Sequence, residues 1–185
     1  DWSSDVCSSD LMAEDAVNEA VADLRRIVPD SCTETVAIVG ADGYLVMMNK
    51  LAEVSREYGI TQKSAEHLLN RYGSLFEEVL DVGQEDLTMF HRISEGIPYL
   101  KAEIKYAVTH EGALSVDDVL SRRTRIAFEA KDQGRSIAPI VAEIIAPTLG
   151  WSESEKQASI DEYLTKVTQQ NELLENALRK TTKVS

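Results

Sequence analysis

The sequence predicts an all-α fold, in which one helix and an irregular linker precede a C-terminal domain of about six helices. Apolar residues recur three and four positions apart through most of the chain, which is the spacing of one helix face. Helix-start signatures recur as well, with a serine or threonine shortly before acidic residues. The β-branched run at residues 36–39 is short, and a glycine-rich turn follows it at once, so no sizeable sheet is expected.

The first predicted helix covers residues 13–28, where apolar pairs repeat at helical spacing, and Pro29 ends it. Residues 30–43 are the least helical part of the chain and are interpreted as an extended linker with a turn at residues 40–43. A phosphate-binding loop is the alternative for that turn. It lacks the Lys-Ser/Thr pair and the Gly-x-Gly-x-x-Gly spacing, so a plain turn is favoured.

The predicted domain begins with three helices separated by glycines. The first covers Tyr44–Tyr58 and is closed by Gly59. The second is capped by Thr61 and ends at Tyr72, before Gly73. The third is short: it begins with the capping box Ser74–Glu77 and ends near Gly83. Residues 84–97 are mixed, with turns expected around 87–93.

The second half of the predicted domain has four helices. Their expected bounds are Pro98–Glu111 with Pro98 in the first position, Ser115 to Arg125 or Ala130 behind an N-cap signature, 136–149 with Pro147 kinking its last turn before Gly150, and a long helix opened by the capping box Ser152–Glu155 with Ile160, Leu164, Val167, Leu174 and Leu178 on one face. Residues 180–185 are expected to be a frayed tail.

The 185-residue chain carries a formal net charge of −13, which argues against a nucleic-acid partner and against an electrostatic membrane anchor. Its two cysteines, Cys7 and Cys32, form no disulfide framework, which fits a reducing cytoplasm. No apolar run reaches the roughly 18 residues that a membrane-spanning helix needs.

Residues 1–11 (D-W-S-S-D-V-C-S-S-D-L) resemble the in-frame translation of a common sequencing-adapter oligonucleotide. We therefore expect the natural sequence to begin at or near Met12 and to be a fragment of a longer protein. Residues that derive from such an oligonucleotide do not contribute to the predicted fold. Without the three aspartates of this stretch the net charge moves from −13 to −10.

The sequence offers no catalytic constellation. We interpret His67, His91 and His110 as surface or polar-contact residues, since none has a His-Glu-x-x-His spacing and a lone imidazole cannot hold a metal. No Gly-x-Ser-x-Gly elbow is present. Adjacent carboxylates are typical of solvated faces and helix starts in an acidic helical protein. We expect no catalytic, cofactor-binding or metal-binding residue in this chain.

One dense basic cluster stands out in the acidic chain, at residues 122–125 (R-R-T-R). Arginine forks favour bidentate contacts with carboxylates or phosphates. Two interpretations stay open: contact with an anionic group on another domain, or pairing within this domain. The candidate ionic cluster comprises Arg122, Arg123 and Arg125 with the acidic residues Glu103, Glu111, Asp117 and Asp118.

Several segments, in order, resemble the C-terminal region of FAD-dependent glycerol-3-phosphate dehydrogenases, the quinone-linked type that also includes the glycerophosphate oxidases. The resemblance covers residues 12–172. The segments that carry it are 12–17 (M-A-E-D-A-V), 40–44 (G-A-D-G-Y), 67–74 (H-L-L-N-R-Y-G-S), 102–111 (A-E-I-K-Y-A-V-T-H-E), 117–125 (D-D-V-L-S-R-R-T-R) and 149–151 (L-G-W).

The resemblance implies a parent protein in two parts. A large flavin domain binds FAD and oxidises sn-glycerol 3-phosphate to dihydroxyacetone phosphate, and electrons pass from the flavin to membrane quinone. Residues 12–29 would be the last helix of that domain, 30–43 the linker, and 44–179 a helical cap. No catalytic residue of the family maps to a position in this chain. Such a fragment would bind no FAD by itself, and its partner would be the flavin domain of its own chain.

The resemblance also implies a cytoplasmic parent, for which a peripheral position on the cytoplasmic membrane face and homo-oligomerisation both stay open. A hypothesis from another class is an independent acidic helical module that binds a protein partner through residues 122–125 or the 153–179 helix and has no enzymatic activity.

Overall fold

The computed structural model describes residues 8–22, 24, 27–33 and 35–182, with side chains described from Met12 to Arg179. The chain divides into two compact units, Asp1–Ile38 and Val39–Ser185, here called the N-terminal unit and the helical unit. The division falls inside the linker predicted at residues 30–43.

The N-terminal unit contains helix α1, Ser8–Ala22, which starts earlier and ends earlier than the predicted helix over 13–28. Leu24 and residues 27–30 are not helical. The apolar stripe that predicted a longer helix is exposed, with Ile27 98% accessible, and helices depend mainly on tertiary burial of such a stripe. Residues 1–7 of the adapter-like stretch lie outside the described part of the chain, whereas α1 begins within its last four residues.

The described residues of the helical unit form no strand, and their only β-type pairing is one isolated antiparallel bridge between Arg92 and Leu100. The all-α prediction is therefore confirmed. Seven α-helices follow one another in this part: α2 Tyr44–Glu57, α3 Gln62–Tyr72, α4 Phe76–Asp81, α5 Lys101–Thr109, α6 Ile126–Glu129, α7 Ala138–Leu149 and α8 Glu153–Thr182. Shorter helical segments are the 3₁₀ turns Gly73–Leu75 and Leu87–Phe90 and a π-helical segment, Asp118–Arg123.

Two hydrophobic clusters make the core of the helical unit. One is formed mainly by α2, α3 and α4, with Phe76 fully buried at its centre. The other is formed by the π-helical segment, α6, α7 and the first half of α8. Helix α5 belongs to both, because Tyr106 packs in the first cluster and Ile104 in the second.

Several predicted caps are present. Thr61 accepts a hydrogen bond from the Ser64 amide at 3.1 Å and opens α3. Gly150 ends α7 in the left-handed conformation, with φ of 67°. Ser152 and Glu155 form the reciprocal capping box of α8, with the Ser152 amide 2.8 Å from the Glu155 carboxylate. Short-range interactions determined these three boundaries: side-chain caps at Thr61 and Ser152, and a left-handed backbone at Gly150.

Two predicted helix starts are wrong. Pro98 does not open α5, which begins at Lys101, because the neighbouring residues are held extended: the Lys101 amide donates to the His91 carbonyl at 3.1 Å. Ser74 forms no capping box with Glu77, since its amide donates to the Gly40 carbonyl at 2.9 Å and α4 begins only at Phe76. In both places a contact with a distant segment overrides the local signal.

The helix predicted from Ser115 to Arg125 is interrupted at Thr124. The Thr124 hydroxyl donates to the Val119 carbonyl at 2.7 Å, and its backbone is extended. A threonine side chain that bonds to the backbone competes with helix continuation. The same hydroxyl also accepts from the Ile126 amide at 3.4 Å, so one residue ends the π-helical segment and begins α6.

Helix α8 buries only the first part of its predicted apolar face. Ile160 and Val167 are buried, whereas Leu174 is largely exposed. The helix runs to Thr182, three residues into the predicted tail, and residues 183–185 lie outside the described part. Within the described residues, no helix combines the length and apolar character needed to cross a bilayer.

A close glycine–glycine contact fixes the start of the helical unit. Gly40 (φ 84°) and Gly73 (φ 59°) pack backbone to backbone, and a Cβ atom on Gly40 would lie 2.5 Å from the Tyr72 carbonyl oxygen. Only glycine tolerates both the positive φ and this approach. The contact joins the segment just before α2 to the end of α3, and we call it the glycine latch.

Candidate functional site

A buried carboxylate, Glu103, is the centre of the most connected polar network in the described chain. Its side chain is completely inaccessible to solvent. It accepts hydrogen bonds from the Leu100 amide at 2.7 Å and from the Tyr72 hydroxyl at 3.2 Å. The amide contact is half of a capping box at the start of α5, so the same carboxylate opens a helix and anchors the network. Burial, with the neighbouring Glu103 carboxylate, raises the pKa of Tyr72 well above its ordinary value, which keeps this hydroxyl a donor.

Helix α3 supplies the positive side of this network. His67 Nε2 lies 3.2 Å from both Glu103 oxygens, and Arg71 Nε lies 3.7 Å from one of them. Residues four apart share a helix face, so α3 presents both groups to α5. The Arg71 guanidinium also lies over the Tyr99 ring at 5.4 Å, and the His67 ring meets the same tyrosine edge-on. A buried charge surrounded in this way is compensated by its neighbours.

Arg71 extends the network to the predicted basic cluster. Its guanidinium donates to the Arg123 carbonyl, and Arg123 in turn donates to the Glu111 carbonyl at 2.7 Å. The Glu111 carboxylate has one buried oxygen without a hydrogen-bond partner among the described residues. Burial raises the pKa of Glu111, and the charges of Arg71 and Arg123, which lower it, offset only part of this rise. The Arg123 side chain therefore binds a backbone oxygen, that of Glu111, rather than one of the carboxylates considered from the sequence.

A second ion cluster lies at the π-helical segment. Arg122 contacts the carboxylates of Asp117 at 2.9 Å and Asp118 at 2.7 Å. Lys166 of α8 reaches Asp117 at 2.7 Å. Burial would raise the pKa of Asp117, but the hydrogen bonds from Lys166 and Ser121 outweigh it and hold that pKa below its usual value. The cluster thus ties the π-helical segment to α8.

The candidate cluster predicted from the sequence is therefore spread over four places. Arg122 and Asp118 lie together, Arg123 and Glu111 meet through a backbone carbonyl, and Glu103 lies against α3 instead. Arg125 points outward, with its guanidinium 3.8 Å from the exposed Glu129 carboxylate. Contact of this arginine with an anionic group on another domain stays a prediction.

Sequence reasoning missed His67 and Arg71 as partners of Glu103. The available signal was their spacing of four on α3, beside the buried residues Leu68 and Tyr72. Glu103 itself lies on the buried side of α5 beside Ile104 and Ala107, where an unpaired carboxylate would be very unfavourable. That spacing makes His67 and Arg71 candidate partners, and the packing of α3 on α5 selects them. The two other histidines, His91 and His110, are exposed.

The described residues form ionic and hydrogen-bonded networks that connect the helices of the helical unit. No group of three or more His, Cys, Asp or Glu side chains in that part of the chain could hold a metal ion. A cleft beside Asp117, Tyr163 and Lys166 has a volume of about 130 Å³. Typical ligand pockets have roughly 300–1,000 Å³, so this cleft does not fit a flavin dinucleotide. The geometry defines an all-helical domain whose polar networks join its helices.

The sequence comparisons identify that domain. The model for the C-terminal domain of alpha-glycerophosphate oxidase matches residues 31–156, more than half of the chain. The chain belongs to this family. It is 39% identical over 157 residues to glycerol-3-phosphate dehydrogenase 2 of Mycobacterium tuberculosis, which is 85% of this chain and 27% of that protein.

Eukaryotic relatives match the same extent of the chain. The probable mitochondrial glycerol-3-phosphate dehydrogenase of Dictyostelium discoideum is 30% identical over 80% of this chain and 23% of its own length. The mitochondrial glycerol-3-phosphate dehydrogenase of Rattus norvegicus is 29% identical over 81% of this chain and 21% of its own length. The chain therefore spans about a quarter of the length of the curated relatives that it matches.

Proposed function

We propose that this chain is the C-terminal part of an FAD-dependent glycerol-3-phosphate dehydrogenase. The parent would oxidise sn-glycerol 3-phosphate to dihydroxyacetone phosphate and pass the electrons through the flavin to quinone. The observation that carries the proposal is the similarity of 85% of the chain to a protein of that name, together with the family match over residues 31–156.

In the parent, the helical unit would serve as a cap on a flavin-binding domain that precedes it. The dense internal pairing around Glu103 and Asp117 suits such a role, because it holds the helices in one arrangement. In this proposal the preceding domain holds FAD, and no described residue is assigned a role in holding it. The parent is proposed to be cytoplasmic, at the cytoplasmic face of the membrane.

The test uses the DNA upstream of codon 12. We expect an open frame that encodes a flavin domain, and the assembled parent should bind about one FAD per chain and reduce a quinone analogue only when glycerol 3-phosphate is present. The 185-residue chain alone should take up no FAD. A stop codon and ribosome-binding site just before Met12 would contradict the proposal and favour an independent interaction module. An assembled parent without flavin would contradict it as well.

A further inference from the structure

Helix α2 has a second apolar face that points away from the core. Its inward residues, such as Leu51 and Val54, are buried. On the outward side, Leu45 is 69% exposed, Val46 58% and Met48 43%. We call these three residues the α2 outer face. Three large apolar side chains exposed within four positions of an acidic protein indicate an interaction surface.

The outer face is confined to the first turns of α2. Further along the same side of the helix, Asn49, Glu53 and Arg56 are exposed and polar. A helix that only faced water would have polar residues from its first turn. The apolar part therefore coincides with the end of α2 at which the chain enters the helical unit.

The glycine latch holds that end of the chain in place. The Gly40 carbonyl accepts from the Ser74 amide at 2.9 Å, and the two glycine backbones leave no room for a side chain. Leu45 lies five positions after Gly40, so the chain enters the helical unit close to the outer face.

Most of the parent precedes this unit. The matched family is a C-terminal domain, and this chain spans 27% of the M. tuberculosis relative. We infer that the α2 outer face, Leu45, Val46 and Met48, is the surface on which the helical unit docks against the flavin domain of its own parent chain. This inference rests on the proposed function and adds the surface that the cap uses.

The experiment measures side-chain accessibility by hydroxyl-radical footprinting of Met48 in the assembled parent and in the 185-residue chain. Methionine is readily oxidised when exposed, so its modification rate reports coverage. We expect that rate to fall at least about fivefold in the parent. Leu114, which is as exposed as Leu45 at 69%, serves as the internal reference and should keep the same rate in both proteins.

Variants of the parent assign the coverage to the outer face. Leu45→Glu should return the Met48 rate to that of the 185-residue chain, because a carboxylate cannot be buried there unpaired. Leu45→Met should keep Met48 protected, and Leu114→Glu should leave it protected as well. Footprinting of the same variants in the 185-residue chain checks that the helical unit still folds.

The outcomes separate this inference from the proposed function. A parent that binds FAD but leaves Met48 as reactive as in the 185-residue chain overturns the docking surface alone. Protection that appears in the 185-residue chain and grows with its concentration also overturns it, since a second copy would then cover the face. A parent without FAD refutes the proposed function, whatever the state of Met48.

Discussion

The glycine latch can be tested by giving Gly40 a side chain. Gly40→Ala places a Cβ atom 2.5 Å from the Tyr72 carbonyl oxygen, a distance that real Cβ atoms essentially never show. The oxygen belongs to the backbone at the end of α3, so it cannot turn away as a flexible side chain would. Gly96 is the matched control: its φ is 85° against 84° for Gly40, and a Cβ atom there would meet nothing within 4 Å.

The two variants share one cost and differ in another. An alanine at positive φ loses roughly 1–2 kcal/mol of stability at either position. The reduced entropy of the unfolded chain, which favours alanine, is also common to both. Gly40→Ala has in addition the strain of overpacking, about 1–3 kcal/mol, and weakens the bond from the Ser74 amide, about 1 kcal/mol. We expect Gly40→Ala to be about 2–4 kcal/mol more destabilising than Gly96→Ala.

Urea unfolding followed by far-ultraviolet circular dichroism measures this difference. With roughly 2–4 °C per kcal/mol for a chain of this size, the thermal midpoints of the two variants should differ by about 5–15 °C. Gly73→Ala, which drives its methyl group into the Gly40 carbonyl from the other side, should resemble Gly40→Ala. Equal destabilisation by Gly40→Ala and Gly96→Ala would refute the reasoning, since the close approach would then contribute nothing.

Three further predictions concern charge. Glu103→Gln should destabilise the helical unit by about 3 kcal/mol in urea unfolding, because it leaves the half-buried Arg71 guanidinium without its carboxylate partner. Glu129→Gln at an exposed arginine pair should change stability by less than about 0.5 kcal/mol, and similar values for the two variants would show that burial is unimportant. Burial would raise the Asp117 pKa, yet the Lys166 hydrogen bond leaves that pKa lowered in the folded state. The wild-type protein should therefore have a higher free energy of unfolding than Asp117→Asn above about pH 4, and this difference should vanish as the pH falls further. A pH-independent difference would contradict this assignment. Burial raises the folded-state pKa of Glu111, so the charge of this carboxylate opposes folding at neutral pH. Glu111→Gln should therefore stabilise the protein by less than about 1 kcal/mol at pH 7, and thermal melts at a series of pH values should show that gain shrinking towards pH 4. A loss of stability in Glu111→Gln at pH 7 would count against this assignment.

Local signals predicted the fold class and the boundaries that local chemistry determines. The Thr61 cap, the Ser152–Glu155 box and the Gly150 stop depend on residues within one turn of each other, so the sequence displays them directly. The predictions at Pro98 and Ser74 failed for the opposite reason. Backbone groups around those residues are satisfied by His91 and by Gly40, and such partners cannot be identified from a window of a few residues.

The candidate site shows the same division between local and distant partners. Arg122 and Asp118 are four residues apart on one helical turn, and the structure pairs them as one of the two open interpretations expected. Glu103 finds its partner Arg71 across 32 residues on another helix. The sequence places Glu103 as an unusual carboxylate on the apolar side of its helix, but only the packing of α3 on α5 shows which cation compensates it.

Helix α5 lies between the two hydrophobic clusters, and that position has a thermodynamic consequence. Tyr106 is part of one cluster and Ile104 of the other, while Glu103 on the same nine-residue helix bonds to α3. Neither cluster can lose its order without removing α5 from the other. The helical unit should therefore behave as a single cooperative foldon, with amides of α3 and α7 exchanging at one common opening free energy and equal calorimetric and van't Hoff enthalpies.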